Sequence, residues 1–227
     1  MALAPSALLS PRSRKVAALG VALGVALAAT VTLGGVAAGS AAAASDAAPQ
    51  RASVTGSASF ELPYWPDKDV RSFAFDAHAK PYSRPLAGLP SGLPTDAEGT
   101  VKVSHYVAAL GKTFTAEGKV DCLVTGPGVA SLTAVMTKVS QGGPEEWVGK
   151  RLGFSVLDGG KEKAGHKSKD RVGFSWAAVN VLRDGDKGAK EPVSSDVGTC
   201  MASAPYAPVT KGGYTVRHAE LPPFPKS

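Results

Sequence analysis

The sequence predicts an all-β domain folded as a small antiparallel up-and-down barrel, and three observations support this prediction. From residue 57 onward, apolar side chains recur at every second position in successive short runs, which is the period of a half-buried strand. Gly and Pro separate these runs at short intervals and build turns. No stretch after the first 44 residues has the longer period of an amphipathic helix. A two-sheet sandwich shows the same alternation and is the alternative.

The clearest predicted strand covers residues 114–124. Its apolar or small side chains alternate with polar ones, as in a strand that buries one face. The positions assigned to the buried face are Phe114, Ala116, Gly118, Val120, Cys122 and Val124. The pattern therefore predicts that Cys122 points towards the interior.

Shorter runs with the same period predict the remaining strands. Phe73 and Phe75 share one face of the first run, which places Asp76 on the opposite face. The other runs lie at residues 101–107, 129–139, 152–156, 172–178 and 214–216. The predicted connections are a Pro-rich surface loop at 80–98, a turn at 141–146, a polar hairpin tip at 158–169 and a polar loop at 183–199.

The first 44 residues predict a cleavable secretory signal. A basic segment, an uncharged apolar run over residues 16–38 and a stretch of small residues follow one another, and we place the cut after Ala43 or Ala44. A permanent membrane anchor is the alternative, because the apolar run is long enough to span a bilayer. The small-residue site favours cleavage. The two arginines of the basic segment are not adjacent, so we expect export to the extracellular space by the general secretory route.

The organisation of the chain follows from these patterns. Residues 1–44 are the predicted signal peptide, 45–56 a flexible N-terminal segment, 57–219 a single all-β domain and 220–227 an extended Pro-rich tail. The domain is long enough to bury a core of its own. We expect it to be a monomer.

The charge balance argues against a nucleic-acid-binding surface. The leader holds three of the 25 basic residues and none of the 19 acidic ones, so the mature chain has a net charge of +3. Specific nucleic-acid binding usually requires a dense basic face. We therefore do not expect it here.

Cys122 and Cys200 are predicted to form a disulfide. They are the two cysteines of the chain, and an isolated pair in an exported protein generally bonds. The closed loop of roughly 80 residues would stabilise the fold by about 4 kcal/mol. The alternative is two separate buried thiols.

Several segments resemble a known group of proteins. They are Gly118 to Leu123, Val129 to Val139, Gly153 to Gly160 and Asp170 to Trp176. Together they are similar to small secreted actinobacterial proteins, some of which carry the label "repetin", over about residues 99–216. The resemblance implies a secreted β-domain and implies no activity.

Three motifs contain residue types that could form a metal site or a catalytic site. Asp76 and His78 share a strand face, and His105 would join them as zinc-type ligands if the two strands pair; the alternative is solvated side chains on an outer face. Ser175 lacks the G-x-S-x-G context of a nucleophile elbow. Residues 184–188 lack the ligand order of a calcium loop. We therefore assign no catalytic residue, metal or cofactor.

The polar hairpin tip is the predicted electrostatic contact. Its basic residues are Lys161, Lys163, Lys167 and Lys169. They would attract an anionic cell-wall polymer, and the alternative is a solvated loop that keeps the hairpin soluble. Beside them, Asp170 is expected to accept backbone N–H bonds and Arg171 to pair with a neighbouring acid.

The absence of a catalytic signature favours a non-enzymatic binding or envelope-associated domain. Its partner would be an anionic wall polymer at the loops or a small apolar ligand inside the barrel. One alternative is an extracellular hydrolase that uses His78, His105 and His218. Another is a protease inhibitor that presents the segment near Cys200.

Overall fold

The computed structural model describes residues 50–160, 168–176, 179–181 and 195–225. These residues form a closed barrel of eight antiparallel strands, each paired with the next along the chain and the last paired with the first. The strands are β1 Ser53–Phe60, β2 Val70–Ala79, β3 Ala97–Val107, β4 Lys112–Gly126, β5 Val129–Val139, β6 Arg151–Leu157, β7 Arg171–Phe174 and β8 Ala207–Arg217. One 3-10 turn covers Glu145–Trp147. The predicted up-and-down barrel is confirmed, and the sandwich alternative is wrong.

The interior is filled unevenly along the barrel axis. Phe73 and Phe75 project inwards from β2, and the ring of each packs edge-on against Phe154 of β6, at 5.2 and 5.4 Å between centroids. Further along β2 the inward positions are the small side chains of Ala77 and Ala79. One end of the barrel is therefore rich in aromatic rings and the other is tightly closed.

The N-terminal boundary differs from the prediction. β1 begins at Ser53, and Val54 is fully buried between β2 and β8. Residues 53–56 thus belong to the barrel and not to a flexible lead-in of 45–56. The error arises because Gly56 and Ser57 interrupt the apolar alternation at the strand centre. The predicted signal peptide lies outside the described residues.

A bulge in β4 reverses the predicted orientation of Cys122. Val120 pairs with Ala134 and Cys122 pairs with Thr133, so Asp121 is the extra residue. After the bulge Leu123 points into the core, and Cys122 lies on the outer side of the barrel. The inward assignment was wrong, because a strand's alternation shifts by one residue at a bulge.

The disulfide between Cys122 and Cys200 is nevertheless present. It fastens a strap, residues 198–206, across the outer side of β5, β6 and β7. The Cys200 N–H donates to Thr133 Oγ1 at 3.2 Å beneath this strap. A Cβ added at Gly153 or Gly173 would collide with a carbonyl oxygen of the strap, so both positions require glycine for this close approach.

The end opposite the aromatic rings is covered by the Pro-rich loop and the tail. Arg84 Nη2 donates to the carbonyl oxygens of Ala97 and Val120 at 2.8 and 2.6 Å. The Tyr82 hydroxyl donates to the Pro222 carbonyl, and the Phe224 ring packs on Tyr82. The described part of the tail, residues 220–225, is neither helix nor strand. No helix in the described parts of the chain has the length and apolar character that crossing a membrane requires.

Candidate functional site

The open end of the barrel holds a cavity. At this end β1, β3, β5 and β7 finish and the other four strands begin. The cavity has a volume of about 690 Å³, which lies within the range of roughly 300–1,000 Å³ that is usual for small-molecule sites. We call it the mouth cavity.

Aromatic side chains form most of the mouth cavity's wall. They are Phe60, Tyr64, Trp65, Phe73, Phe114, Trp147, Phe174 and Trp176, joined by the aliphatic Leu62 and Val103. They come from strand ends and loops that are far apart in sequence but adjacent around the barrel mouth. Strand alternation turns the phenylalanines Phe60, Phe73, Phe114 and Phe174 inwards, whereas the tyrosine and the tryptophans reach the mouth from loops and from the 3-10 turn.

The floor of the cavity is a packed aromatic cluster. The ring of Phe73 lies 4.7 Å from Phe60 and 5.4 Å from Phe174, between centroids. Trp176 packs against Phe174 at 4.5 Å and edge-on against Trp147 at 5.4 Å. Tilted and edge-on rings at these separations attract one another beyond simple burial. The floor is therefore stable without a ligand.

One side of the cavity is formed by the segment from Glu61 to Asp69, which joins β1 to β2 and which we call the lip. It carries Leu62, Tyr64 and Trp65 to the opening. The Trp65 N–H donates to the Leu62 carbonyl at 3.1 Å, which closes a tight turn. Trp65 remains 62% exposed, an unusual position for the largest apolar side chain. An occupant of the cavity would cover it.

A charged cluster fastens the lip to the barrel. Arg71 Nη1 and Nη2 donate to the two carboxylate oxygens of Asp67 at 3.0 and 2.5 Å, and Nη2 also reaches Asp69 at 3.2 Å. His105 Nε2 lies 2.6 Å from Asp69 Oδ2, and the Ala108 N–H donates to Asp69 Oδ1 at 2.9 Å. This cluster joins the lip to β2 and to the end of β3.

The cluster lowers the pKa of both carboxyl groups. The hydrogen bond from Arg71 is the main cause for Asp67, and the bonds from the Ala108 N–H and His105 are the main causes for Asp69. In return Asp67 raises the pKa of Arg71. Both carboxylates are therefore ionised at neutral pH.

The candidate metal ligands Asp76, His78 and His105 do not lie close together. Asp76 and His78 bond to each other on the exposed outer face of β2, at 2.8 Å. Asp76 lies opposite Thr100 in the barrel, whereas His105 lies opposite Arg71, five residues further along β3 and about 17 Å away. Among the described residues no three His, Cys, Asp or Glu side chains are grouped for a metal.

The residues of the hydrolase alternative are also separated. His105 lies at the mouth, while His218 follows β8 at the opposite end, where it contacts Thr125 and Glu220. Ser175 is buried beneath the strap, and its Oγ lies 3.5 Å from the Met201 carbonyl oxygen. These groups are not assembled into one catalytic site.

Only one of the four lysines of the predicted electrostatic contact belongs to the described residues. Lys169 is exposed, whereas Lys161, Lys163 and Lys167 lie outside the described residues. The calcium-like stretch 184–188 lies outside them as well. The electrostatic contact therefore stays a prediction.

Of the two predictions for Asp170 and Arg171, the one for Asp170 is confirmed and the one for Arg171 is wrong. Asp170 Oδ1 accepts the Gly159 N–H and Oδ2 accepts the Tyr214 N–H, both at 2.8 Å. The Arg171 guanidinium donates to the carbonyl oxygens of Pro205 and Tyr206 in the strap segment, and it pairs with no acidic side chain among the described residues.

The mouth cavity is the site that the sequence reasoning missed. Its best signal was the lip, where Leu62, Tyr64 and Trp65 are apolar outside any predicted strand and are followed at once by charged residues. An apolar cluster in a loop is a signal of binding.

No protein-family model, curated protein or solved structure matches this chain. The resemblance to the repetin-labelled proteins therefore stays a prediction.

Proposed function

We propose that this protein is a non-enzymatic extracellular binding domain that holds a small apolar ligand in the mouth cavity. The observation that carries the proposal is a cavity of about 690 Å³, open at one barrel end and walled by aromatic rings. Concave apolar cavities at barrel mouths are a common place for small ligands.

The energetics of the cavity favour an apolar occupant. A ligand that buries about 250 Å² of apolar surface gains roughly 6 kcal/mol before the cost of association is subtracted. The aromatic floor is already packed, so little ordering is required when the ligand enters. The full 6 kcal/mol would correspond to a dissociation constant of roughly 40 μM, and the cost of association weakens the binding further.

Two further features support an extracellular binder over an enzyme. The buried disulfide is typical of proteins in oxidising compartments. In the described part of the chain, the acid–base candidates His105 and His218 lie at opposite barrel ends and Ser175 is buried beneath the strap. An anionic wall polymer stays a second candidate partner, because Lys169 is exposed just before β7, at the barrel end opposite the mouth.

Titration with N-phenyl-1-naphthylamine, a neutral apolar fluorescent probe, tests the proposal. We expect saturable binding of one probe molecule per chain. Trp65→Ala should weaken binding about fivefold, because it removes an exposed ring from the lip. The matched control is Phe224→Ala, which removes a ring of similar exposure, 58%, at the opposite end. Absence of saturable binding, or equal effects of the two substitutions, would contradict the proposal.

A further inference from the structure

We propose that the ligand of the mouth cavity is an organic cation, namely an apolar body that carries an ammonium or quaternary ammonium group. This inference rests on the proposed function and specifies the ligand class of the same site. It is carried by two independent features of the wall: the sign of its net charge and the density of its aromatic faces.

The charged groups of the wall sum to a negative value. Asp67, Asp69, Arg71 and His105 are the Asp, Glu, Lys, Arg and His side chains that line the cavity in the described structure. Apart from the imidazole of His105, two carboxylates face one guanidinium, which gives a net charge of −1. Both carboxylates hold this charge at neutral pH, since their hydrogen bonds lower the pKa of each.

The single arginine is not available to an anion. Its two terminal nitrogens already donate to Asp67 and Asp69, at 2.5 to 3.2 Å. An anionic head group would have to approach the guanidinium beside two carboxylates of its own sign. The two carboxylates would therefore repel the carboxylate of a fatty acid beside Arg71.

The aromatic rings of the wall add to the attraction that this small net charge exerts on a cation. Tyr64, Trp65, Trp147 and Trp176 line the cavity together with phenylalanine rings. Ring faces, above all those of tryptophan, attract cations, and aromatic walls bind quaternary ammonium groups without hydrogen bonds. The lip places Tyr64 and Trp65 in the same short segment as Asp67 and Asp69. The cation would therefore meet ring faces and carboxylates on one side of the opening.

Competition between three ligands of equal chain length tests the charge preference. Decyltrimethylammonium, decanol and decanoate would each displace N-phenyl-1-naphthylamine from the purified protein at low ionic strength. We expect the cation to bind at least tenfold more tightly than decanoate, with decanol between them. The preference should fall at raised salt, since exposed charges are screened.

The outcomes separate this inference from the proposed function. If the neutral probe and decanol bind but decanoate equals or exceeds the cation, the ligand class is wrong and the apolar-binding function stands. If none of the three displaces a bound probe, or the probe itself does not bind, the proposed function fails as well.

Asp67→Asn provides the matching variant. It removes the negative charge and keeps the size of the side chain, and we expect decyltrimethylammonium to bind about fivefold more weakly. Asp67 also fastens the lip through Arg71, so decanol should lose some affinity as well, but less than the cation does. Asp76→Asn, a charge loss on the exposed outer face of β2, should alter neither ligand. Equal weakening of cation and decanol by Asp67→Asn would overturn the role of charge.

Discussion

The Tyr214 N–H donates to the Asp170 carboxylate at 2.8 Å, where β8 continues past Arg171, the first residue of β7. β7 pairs with β8 only through Arg171 and Val172. The Asp158 carboxylate likewise accepts a hydrogen bond from the Val216 N–H, at 3.0 Å. Two side chains thus satisfy strand donors at the seam where the barrel closes. Buried donors of this kind are costly when left unbonded.

Asp170→Ala should destabilise the barrel. The substitution leaves the Gly159 and Tyr214 N–H groups without their acceptor, one of them at a buried site. The free energy of unfolding should fall by at least about 3 kcal/mol, since two hydrogen bonds to a charged group are lost and each is worth roughly 1.5–3 kcal/mol. Urea unfolding followed by tryptophan fluorescence measures the change. Asp76→Ala, at an exposed carboxylate, is the control and should stay within about 0.5 kcal/mol of the parent.

Removal of the disulfide should cost more. The double substitution Cys122→Ser and Cys200→Ser opens a loop of 78 residues, which lowers the free energy of unfolding by about 4 kcal/mol. It also releases the strap from the buried outer side of Thr133. Urea unfolding of the variant should match that of the reduced parent protein. A variant as stable as the oxidised parent would refute the structural role of the bond.

Gly153→Ala tests how closely the strap lies on β6. A Cβ at this position collides with the Met201 carbonyl oxygen, a backbone atom that cannot rotate away. We expect a loss of about 2 kcal/mol in the parent protein. The loss should shrink in the background that lacks the disulfide, because the strap is then free to move. A double-mutant cycle measures this coupling, and purely additive losses would contradict the packing described.

Acidification should loosen the lip. Interactions in the cluster lower the pKa of Asp67 and Asp69 below the usual 3.8 of an aspartate. Their stabilisation is therefore fully present above pH 3.8 and is lost as the pH falls through the lower folded-state values. The fluorescence of Trp65, compared with Trp65→Ala, should change in this acid range. In Asp67→Asn the change should be smaller; an identical acid transition in that variant would assign it to other groups.

Much of the fold was predictable because strand alternation is a local property. Phe73 and Phe75, which are two residues apart, indicate the inward face of their strand. This pattern can be recognised without knowing the partner strands. The same local pattern failed at Asp121. A bulge is defined by pairing with β5, a partner that the alternation in β4 does not report.

The candidate site was less predictable for the same reason. Trp65 and Trp176 are more than one hundred residues apart, and only barrel closure brings them to one opening. Both residues are recognisable as aromatic in the sequence. An aromatic residue in a sequence, however, is as compatible with packing in the core as with lining a binding site. The lip beside Asp67 and Arg71 was the one local signal of a site.

The sequence by itself determined the all-β class, the approximate strand positions and the pairing of Cys122 with Cys200, because these depend on near-neighbour periodicity and on having only two cysteines. Only the tertiary structure decided that the disulfide lies on the outer side and that one barrel end stays open as an aromatic cavity. Both depend on which distant segments meet when the strands close into a ring. That meeting is set by the packing of the whole chain and not by any short stretch of it.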